Sequence, residues 1–187
     1  MVSLTNYMIK LLLFKAHQGD PISRVISAVT RSQYTHAAIL KDEATNTISE
    51  AWFPHVRERR LDNSELHGID VFNISTTFPE YTPLTAAQNE AILSRCEERE
   101  KIHEDYSISN LFRFIPGLED LIGKARDTGP QADVFCSQYA FDVISLLLLN
   151  APSSELAPGY LGWSPLLFPC APLAFLPSTG KAPPVAT

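Results

Sequence analysis

The sequence contains few cysteines, and none of them is spaced as a metal-binding or redox pair. The three are Cys96, Cys136 and Cys170. An odd number of cysteines without a CxxC pattern excludes a disulfide framework and a zinc knuckle, and it favours synthesis in a reducing compartment such as the cytoplasm. Because the histidines also lack HxH or HxxxH spacing, we expect no metal and no other cofactor.

Long hydrophobic runs are missing as well. The apolar stretch Met8–Phe14 is short, is interrupted by Lys10 and has no small-residue cleavage site after it. The run Val143–Leu149 is far below the roughly 18 residues that a membrane span needs. We therefore expect neither a signal peptide nor stable membrane insertion, so that any export would follow a non-classical route.

Positive charge is in deficit, because 15 lysines and arginines stand against 21 acidic residues, for a formal charge of −6. Nucleic-acid binding needs a positive face that neutralises phosphates, so no nucleic-acid partner is expected. The one basic cluster, formed by Arg57, Arg59 and Arg60, is interpreted as a solvated face. Four histidines in polar contexts are expected at the surface: His17, His55, His67 and His103.

The chain is nevertheless long and apolar enough for one domain. It has 187 residues, of which 45% are hydrophobic and 19% charged. At that length about two-thirds of the unfolded surface can be buried, so that the fold needs neither a disulfide nor a metal. Prolines accumulate after Pro152, which favours extended chain there. We predict a single domain over residues 1–176 and a Pro-rich tail or linker over residues 177–187.

Hydrophobic periodicity and turn signals predict an α+β chain with a small antiparallel sheet. The predicted strands are Tyr7–Phe14, Tyr34–Leu40, Thr47–Phe53 and Gly68–Ile74, of which the middle two form a hairpin. The predicted helices are Ile22–Val29, Ala86–His103 and Val134–Leu149. Thr85 and Gln88 have the spacing of a capping box before the second helix. The third helix becomes almost wholly apolar, which is typical of a helix buried in the core.

Cys136 lies at the start of that apolar helix. A thiol there experiences the positive end of the helix dipole and unpaired backbone N–H groups, which favour the thiolate and can stabilise an oxyanion. Taken alone, such a cysteine is more often a small core residue. Cys96 follows Ile92 by one helical turn and Cys170 stands between Pro169 and Ala171, and both are interpreted as packing residues.

His36 and Glu50 are polar side chains within otherwise apolar strands. If the hairpin loop is centred near Ala44, residue 38 faces residue 50 and residue 36 faces residue 52. His36 and Glu50 then share a face as diagonal neighbours, roughly 7 to 8 Å apart at the backbone and within side-chain reach. A cysteine, a base and an orienting carboxylate together match the logic of thiol acyl transfer.

The order of these landmarks along the chain resembles the permuted papain-like amidase family, the YiiX-like branch of the NlpC-type cysteine hydrolases. In this permuted group the histidine strand precedes the cysteine helix, as it does here. The resemblance covers roughly residues 10 to 175 and is carried by Phe14 with Gly19, Tyr34–Ile39, Ile48–Ala51, Asp105–Ser107 and Phe135–Ser137. It implies a permuted papain-like fold over residues 1–176, with a small antiparallel sheet packed against a buried helix that carries the cysteine.

The resemblance implies a cysteine-dependent hydrolase of amide bonds. Cys136 would be the nucleophile, His36 the general base and then acid, and Glu50 the residue that orients the imidazole. Substrate contacts are expected at Tyr34, Tyr106 and Gln138, although Gln138 departs from the acidic residue common at that position in the family. The backbone N–H of Cys136 is the expected oxyanion donor. No side chain is assigned to that role, for which Tyr34 and Tyr106 are the candidates.

The family analogy favours peptide substrates, with bacterial peptidoglycan first, and a role as an exported antibacterial effector. An inhibitory immunity protein is then an expected partner. Two alternatives stay open at this stage. One is a lipid acyl hydrolase, thioesterase or acyltransferase of the same fold group, and the other is a non-catalytic binding domain in which the Cys136 thiol is inert.

Overall fold

A computed structural model describes residues 8–17, 21–77, 80–106, 136–144, 167–170 and 173. In chain order the elements are β1 (Lys10–Lys15), α1 (Pro21–Thr30), β2 (Tyr34–Asp42), β3 (Thr47–Trp52), β4 (His55–Arg60), a 3-10 turn (Leu66–Gly68), β5 (Ile69–Ile74), α2 (Ala86–Lys101), α3 (Cys136–Ile144) and β6 (Leu167–Pro169). The architecture is α+β, as the sequence predicts.

The strands of the described residues form one antiparallel sheet of six, in the order β4-β3-β2-β1-β5-β6. Successive strands β2, β3 and β4 are neighbours joined by short turns, whereas β1 lies between β2 and β5. The predicted hairpin is β2–β3, and the predicted strand Gly68–Ile74 is β5. The predicted first strand, Tyr7–Phe14, begins three residues later, at Lys10.

Two strands were not predicted from the sequence. β4 consists of His55 followed by the sequence VRERR, which reads as a charged loop, yet every residue of it pairs with β3 in register. β6 pairs with β5 through three residues and lies in the Pro-rich region that was expected only to run as extended chain. The amino-acid composition of β4 and β6 does not favour a strand. Their extended conformation depends on pairing with the neighbouring strands β3 and β5.

The central strands of the sheet are buried on both faces, and successive side chains of each strand point to opposite sides. Ala37 and Ile39 of β2 belong to a core that includes buried residues of α2 and α3, which we call the helix-side core. Ala38 and Leu40 belong to a second core, the opposite core, built with residues of β1, β3, β5 and the 3-10 turn. The sequences of the central strands are therefore continuous apolar runs rather than alternations of apolar and polar residues.

Helix α2 begins with the predicted capping box. The backbone N–H of Gln88 donates to the Thr85 hydroxyl at 3.3 Å, and the N–H of Thr85 donates to Gln88 Oε1 at 2.8 Å. Ile92 and Cys96 of this helix are fully buried in the helix-side core, so the interpretation of Cys96 as a packing residue is confirmed. The two capping hydrogen bonds between Thr85 and Gln88 satisfy backbone N–H groups that the helix itself leaves unpaired.

Helix α3 occupies the middle of the predicted helix Val134–Leu149, whose two ends lie outside the described residues. Seven of its nine residues are buried, and it packs on β2 and β3. The predicted tail over residues 177–187 also lies outside the described residues. Among the helices that are described, none is long and apolar enough to cross a membrane.

Candidate active site

The β2–β3 register brings His36 and Glu50 together. Ile39 pairs with Ser49 and Leu40 with Ile48, which is the register expected for a hairpin loop centred near Ala44. His36 and Glu50 are then diagonal neighbours on one face. Their side chains meet, with His36 Nε2 3.0 Å from Glu50 Oε2. Because a carboxylate only accepts hydrogen bonds, the imidazole donates its Nε2–H to Glu50.

Glu50 has no exposed surface, and two arginines from the adjacent strand surround it. Arg57 donates through Nε and Nη2 to Glu50 Oε1, at 3.0 and 2.8 Å. Arg59 donates through Nε to the same oxygen at 2.7 Å, and it also binds Glu65. The interpretation of the Arg57–Arg60 cluster as a solvated face is therefore wrong for Arg57 and Arg59, because strand β4 turns these two side chains toward a buried carboxylate.

These partners decide the charge of Glu50. Burial alone raises the pKa of a carboxyl group, because the ionised form loses its hydration. The hydrogen bonds and charges of His36 and Arg59 outweigh burial and hold the pKa of Glu50 well below its usual range. Glu50 is thus an anion at neutral pH, which is the state that can fix the orientation and protonation of an imidazole.

Cys136 is the first residue of α3 and has 1% of its surface exposed. Its thiol is close enough to the His36 side chain to raise the pKa of the imidazole. Glu50 accepts from Nε2 of His36, so Nδ1 is the ring nitrogen that this hydrogen bond leaves unused. The structure therefore brings the three predicted residues Cys136, His36 and Glu50 into one cluster from three separate elements.

The two acidic neighbours of His36 determine its protonation. Burial lowers the pKa of the imidazole, but the charge and hydrogen bond of Cys136, followed by those of Glu50, outweigh burial and raise the pKa to about 9. The protonated ring is therefore favoured at neutral pH.

His36 also lines a cleft of about 750 Å³. Its ring is flanked by Phe14, with centroids 5.0 Å apart, and by Trp52, which stands edge-on at 5.1 Å. Six basic or imidazole side chains line the cleft, namely Lys15, His17, His36, Arg57, Arg59 and His67. The site thus combines a buried base with an open approach whose walls are aromatic and cationic.

The three predicted substrate-contact residues lie in different surroundings. Tyr34 is buried in the helix-side core and its hydroxyl donates to Asp70 Oδ2 at 2.8 Å. Gln138 is half-buried on α3, two residues after Cys136. Tyr106 packs against the helix-side core, and burial together with the charge of Cys136 raises its pKa. Tyr106 is therefore near the sulfur, whereas the hydroxyl of Tyr34 is engaged by Asp70.

A second polar cluster joins α3 to the sheet. The hydroxyl of Tyr139, one turn after Cys136, lies 2.5 Å from Ser49 Oγ. Ser49 also donates to Glu100 of α2, whose carboxylate accepts from Lys41 Nζ at 3.0 Å. Because Ser49 is adjacent to Glu50 in β3, this cluster holds the helix that carries Cys136 against the strand that carries Glu50.

Sequence reasoning missed the roles of Arg57 and Arg59. The available signal was their alternate spacing, because side chains two residues apart in a strand share a face. That signal is usable only when β4 is recognised as a strand beside Glu50. Within the described residues, no group of three or more His, Cys, Asp or Glu side chains could hold a metal ion.

Comparison with known proteins gives no family assignment. The chain matches no protein-family model, and no curated protein matches it.

Proposed function

We propose that this protein is a cysteine-dependent hydrolase of amide bonds with Cys136 as nucleophile, His36 as acid and base, and Glu50 as the orienting carboxylate. The observation that carries the proposal is the hydrogen bond of His36 to a buried carboxylate, 3.0 Å from Nε2, in the neighbourhood of the Cys136 thiol. A cysteine nucleophile, a histidine base and an orienting carboxylate that lie close together are the groups that thiol acyl transfer needs on any fold. The permuted papain-like fold is part of the same proposal.

The first half-reaction transfers the acyl group to sulfur. The Cys136 thiolate attacks the amide carbonyl carbon, and the carbonyl electron pair moves to oxygen, where the backbone N–H of Cys136 stabilises the charge. When the intermediate collapses, the carbon–nitrogen bond breaks and the His36 imidazolium gives its proton to the leaving amine. The products are a free amine, a neutral His36 and a thioester on Cys136.

The second half-reaction consumes one water. Neutral His36 removes a proton from water while the oxygen attacks the thioester carbon, and collapse breaks the carbon–sulfur bond. A carboxylic acid leaves, and the thiolate and imidazolium are restored. Throughout the cycle Glu50 holds Nε2–H, so that Nδ1 faces the reacting atoms in both protonation states of the ring.

The proposed substrates are peptide amides, with peptidoglycan first, in the setting of an exported antibacterial effector with an inhibitory immunity protein as partner. This follows from the family that the sequence resembles. The open cleft beside His36 supports a polymeric or branched substrate, because its approach is not enclosed.

The test is digestion of purified peptidoglycan with mass spectrometry of the soluble products. The wild-type chain is compared with Cys136→Ala and His36→Ala, and Cys170→Ala is the matched control because this half-buried thiol packs against the opposite core. We expect peptide fragments from the wild type and the control only. If the site variants release the same fragments, the catalytic assignment is wrong, and if no chain releases any, peptidoglycan is the wrong substrate.

A second candidate is hydrolysis or transfer of lipid acyl groups. Its support is the apolar surface next to the site, where 45% of Trp52 and 60% of Phe53 are exposed. Large exposed aromatic side chains are typical of surfaces that meet an apolar partner. Release of fatty acid from phospholipid vesicles by the wild type, but not by Cys136→Ala, would favour this candidate over the amidase.

The rate of Cys136 alkylation distinguishes the two enzymatic candidates from a non-catalytic binding domain. We expect iodoacetamide to modify Cys136 at neutral pH at least about 100-fold faster than Cys96, because thiolates react and thiols do not. Cys96 is an internal control, since burial raises its pKa to about 11. Equal slow rates at Cys136, Cys96 and Cys170, read by peptide mass spectrometry, would indicate that Cys136 is structural.

A further inference from the structure

The cleft beside His36 concentrates positive side chains in a chain whose net charge is −6. Lys15, Arg57 and Arg59 line it, with one acidic side chain, Glu65, among the described lining residues. The hydrolysis of a neutral amide does not require any of these three cations to contact the substrate. Clefts lined by one sign of charge raise the local concentration of ligands of the opposite sign.

Arg57 is the cation best placed to meet a ligand. It uses two N–H groups for Glu50, Nε and Nη2, and both go to the single oxygen Oε1. A guanidinium carries five N–H donors, so three are not required by Glu50. The side chain is 40% exposed, whereas Glu50 beneath it has no exposed surface. The Arg57 guanidinium is therefore accessible to a ligand in the cleft, whereas the Glu50 carboxylate that binds it is buried.

Trp52 fixes the orientation of that guanidinium. Its ring centroid lies 5.7 Å from the central carbon of Arg57, and its ring is nearly perpendicular to that of His36, with centroids 5.1 Å apart. Arg57 is thus held between a carboxylate and an aromatic face before any ligand arrives. A preoriented planar guanidinium matches a carboxylate through two parallel hydrogen bonds, with little ordering entropy left to lose.

Lys15 supplies a second charge in the same cleft. It follows Phe14, which packs on the His36 ring, and its Nζ is 2.7 Å from Asp70 Oδ1. The Lys15 side chain is 41% exposed. The two exposed cations lie on the strands that flank the β2–β3 pair, β1 and β4, so the histidine lies between them.

We infer that this cleft binds a free carboxylate of the substrate, with Arg57 as the anchor and Lys15 as a second cation. The inference rests on the proposed function and narrows its substrate class to acyl compounds and peptides that carry a carboxylate near the scissile amide. A neutral analogue of the same shape would leave the Arg57 guanidinium without that partner.

The test is isothermal titration calorimetry on the Cys136→Ala protein, which cannot turn the ligand over. The probes are acetyl-Ala-Glu-Ala-amide and acetyl-Ala-Gln-Ala-amide, which have nearly the same shape and differ in one charge. We expect the glutamate peptide to bind about tenfold more tightly at low salt. Arg57→Gln should reduce this preference to less than about twofold, and Lys15→Gln should reduce it by about threefold.

Arg60→Gln is the matched control. It removes one positive charge from the same strand, but Arg60 is exposed and alternates away from Arg57, so the preference should persist. Equal binding of the two peptides, or a preference that survives both Arg57→Gln and Lys15→Gln, would overturn the proposal. If inorganic phosphate binds while the peptides do not differ, the site takes a phosphate instead. Because binding is measured without catalysis, a wild type that hydrolyses no amide substrate would refute the proposed function and leave this result standing.

Discussion

At the scale of single residues, the central feature is a carboxylate that is fully buried and yet ionised. Glu50 accepts from His36, Arg57 and Arg59, so each of its oxygens faces a donor. Taking a carboxylate out of water is expensive unless it is paired and hydrogen-bonded. The arginines of β4 are therefore part of the site, because without them the charge that orients His36 would lose its compensation.

Replacement of Arg59 tests this dependence. We expect Arg59→Met to lower the free energy of unfolding by about 2 to 4 kcal/mol, because it leaves part of the charge on Glu50 and Glu65 unpaired. Urea denaturation followed by circular dichroism measures the change. Arg60→Met, at the exposed neighbouring position, should stay within about 0.5 kcal/mol of the wild type. Equal losses in the two variants would show that the ion pairs with Glu50 do not stabilise the fold.

The raised pKa of His36 predicts how stability depends on pH. The folded-state pKa is about 9 and the ordinary value is 6.5, so folding favours the protonated ring. This contribution is complete below about pH 6.5 and is lost as the pH rises through 9. We expect the melting temperature of the wild type to fall between pH 7 and 9.5 more than that of His36→Gln. Parallel curves for the two proteins would contradict the raised pKa.

At the scale of elements, the site depends on how α3 is held against β3. Cys136 and Tyr139 lie one turn apart on the helix, and Ser49 and Glu50 are adjacent in the strand. The Tyr139–Ser49 hydrogen bond is fully buried and continues through Glu100 to Lys41. Buried polar networks with every member paired favour one arrangement of the elements that they join. This network therefore favours one position of α3 against β3.

Tyr139→Phe tests the link between α3 and β3. Loss of the hydroxyl removes a buried hydrogen bond, and we expect the free energy of unfolding to fall by about 1 to 2 kcal/mol. The rate of Cys136 alkylation should also change, since the thiol moves relative to His36. Tyr81→Phe, at an exposed tyrosine, is the control and should alter neither quantity. An unchanged alkylation rate in Tyr139→Phe would show that the hydroxyl serves stability alone.

At the scale of the whole molecule, one edge of the sheet is formed by a strand that is far from its neighbour in sequence. β6 adds to β5 almost a hundred positions later, and the Cys170 N–H donates to Val71 O at 2.8 Å. Leu173 is buried in the opposite core. The packing of the described residues therefore extends at least to Leu173, and the boundary at residue 176 stays a prediction.

Truncation tests that boundary. A chain of residues 1–176 keeps β6 and Leu173, and we expect its melting temperature to stay within about 2 °C of the full-length value. A chain of residues 1–166 loses both, and it should melt at least about 8 °C lower because it exposes an edge of β5 and part of the opposite core. If both truncations melt alike, β6 does not contribute to the stability of the sheet.

Local signals were sufficient for most elements. The β2–β3 hairpin, β5, α2 and its capping box were predicted because apolar periodicity, turn residues and caps act over a few positions. The pairing of His36 with Glu50 was also predictable, since one assumption about the hairpin loop determines the register of both strands. These features need no knowledge of the rest of the chain.

The tertiary structure alone decided the surroundings of that pair. β4 became a strand because β3 offered an edge, and only that pairing turned Arg57 and Arg59 onto Glu50 rather than into water. The approach of Cys136 to His36 likewise joins residues 100 positions apart. Composition and periodicity describe each segment by itself, whereas a buried charge is stabilised by partners that come from other segments, so its environment is a property of the folded chain.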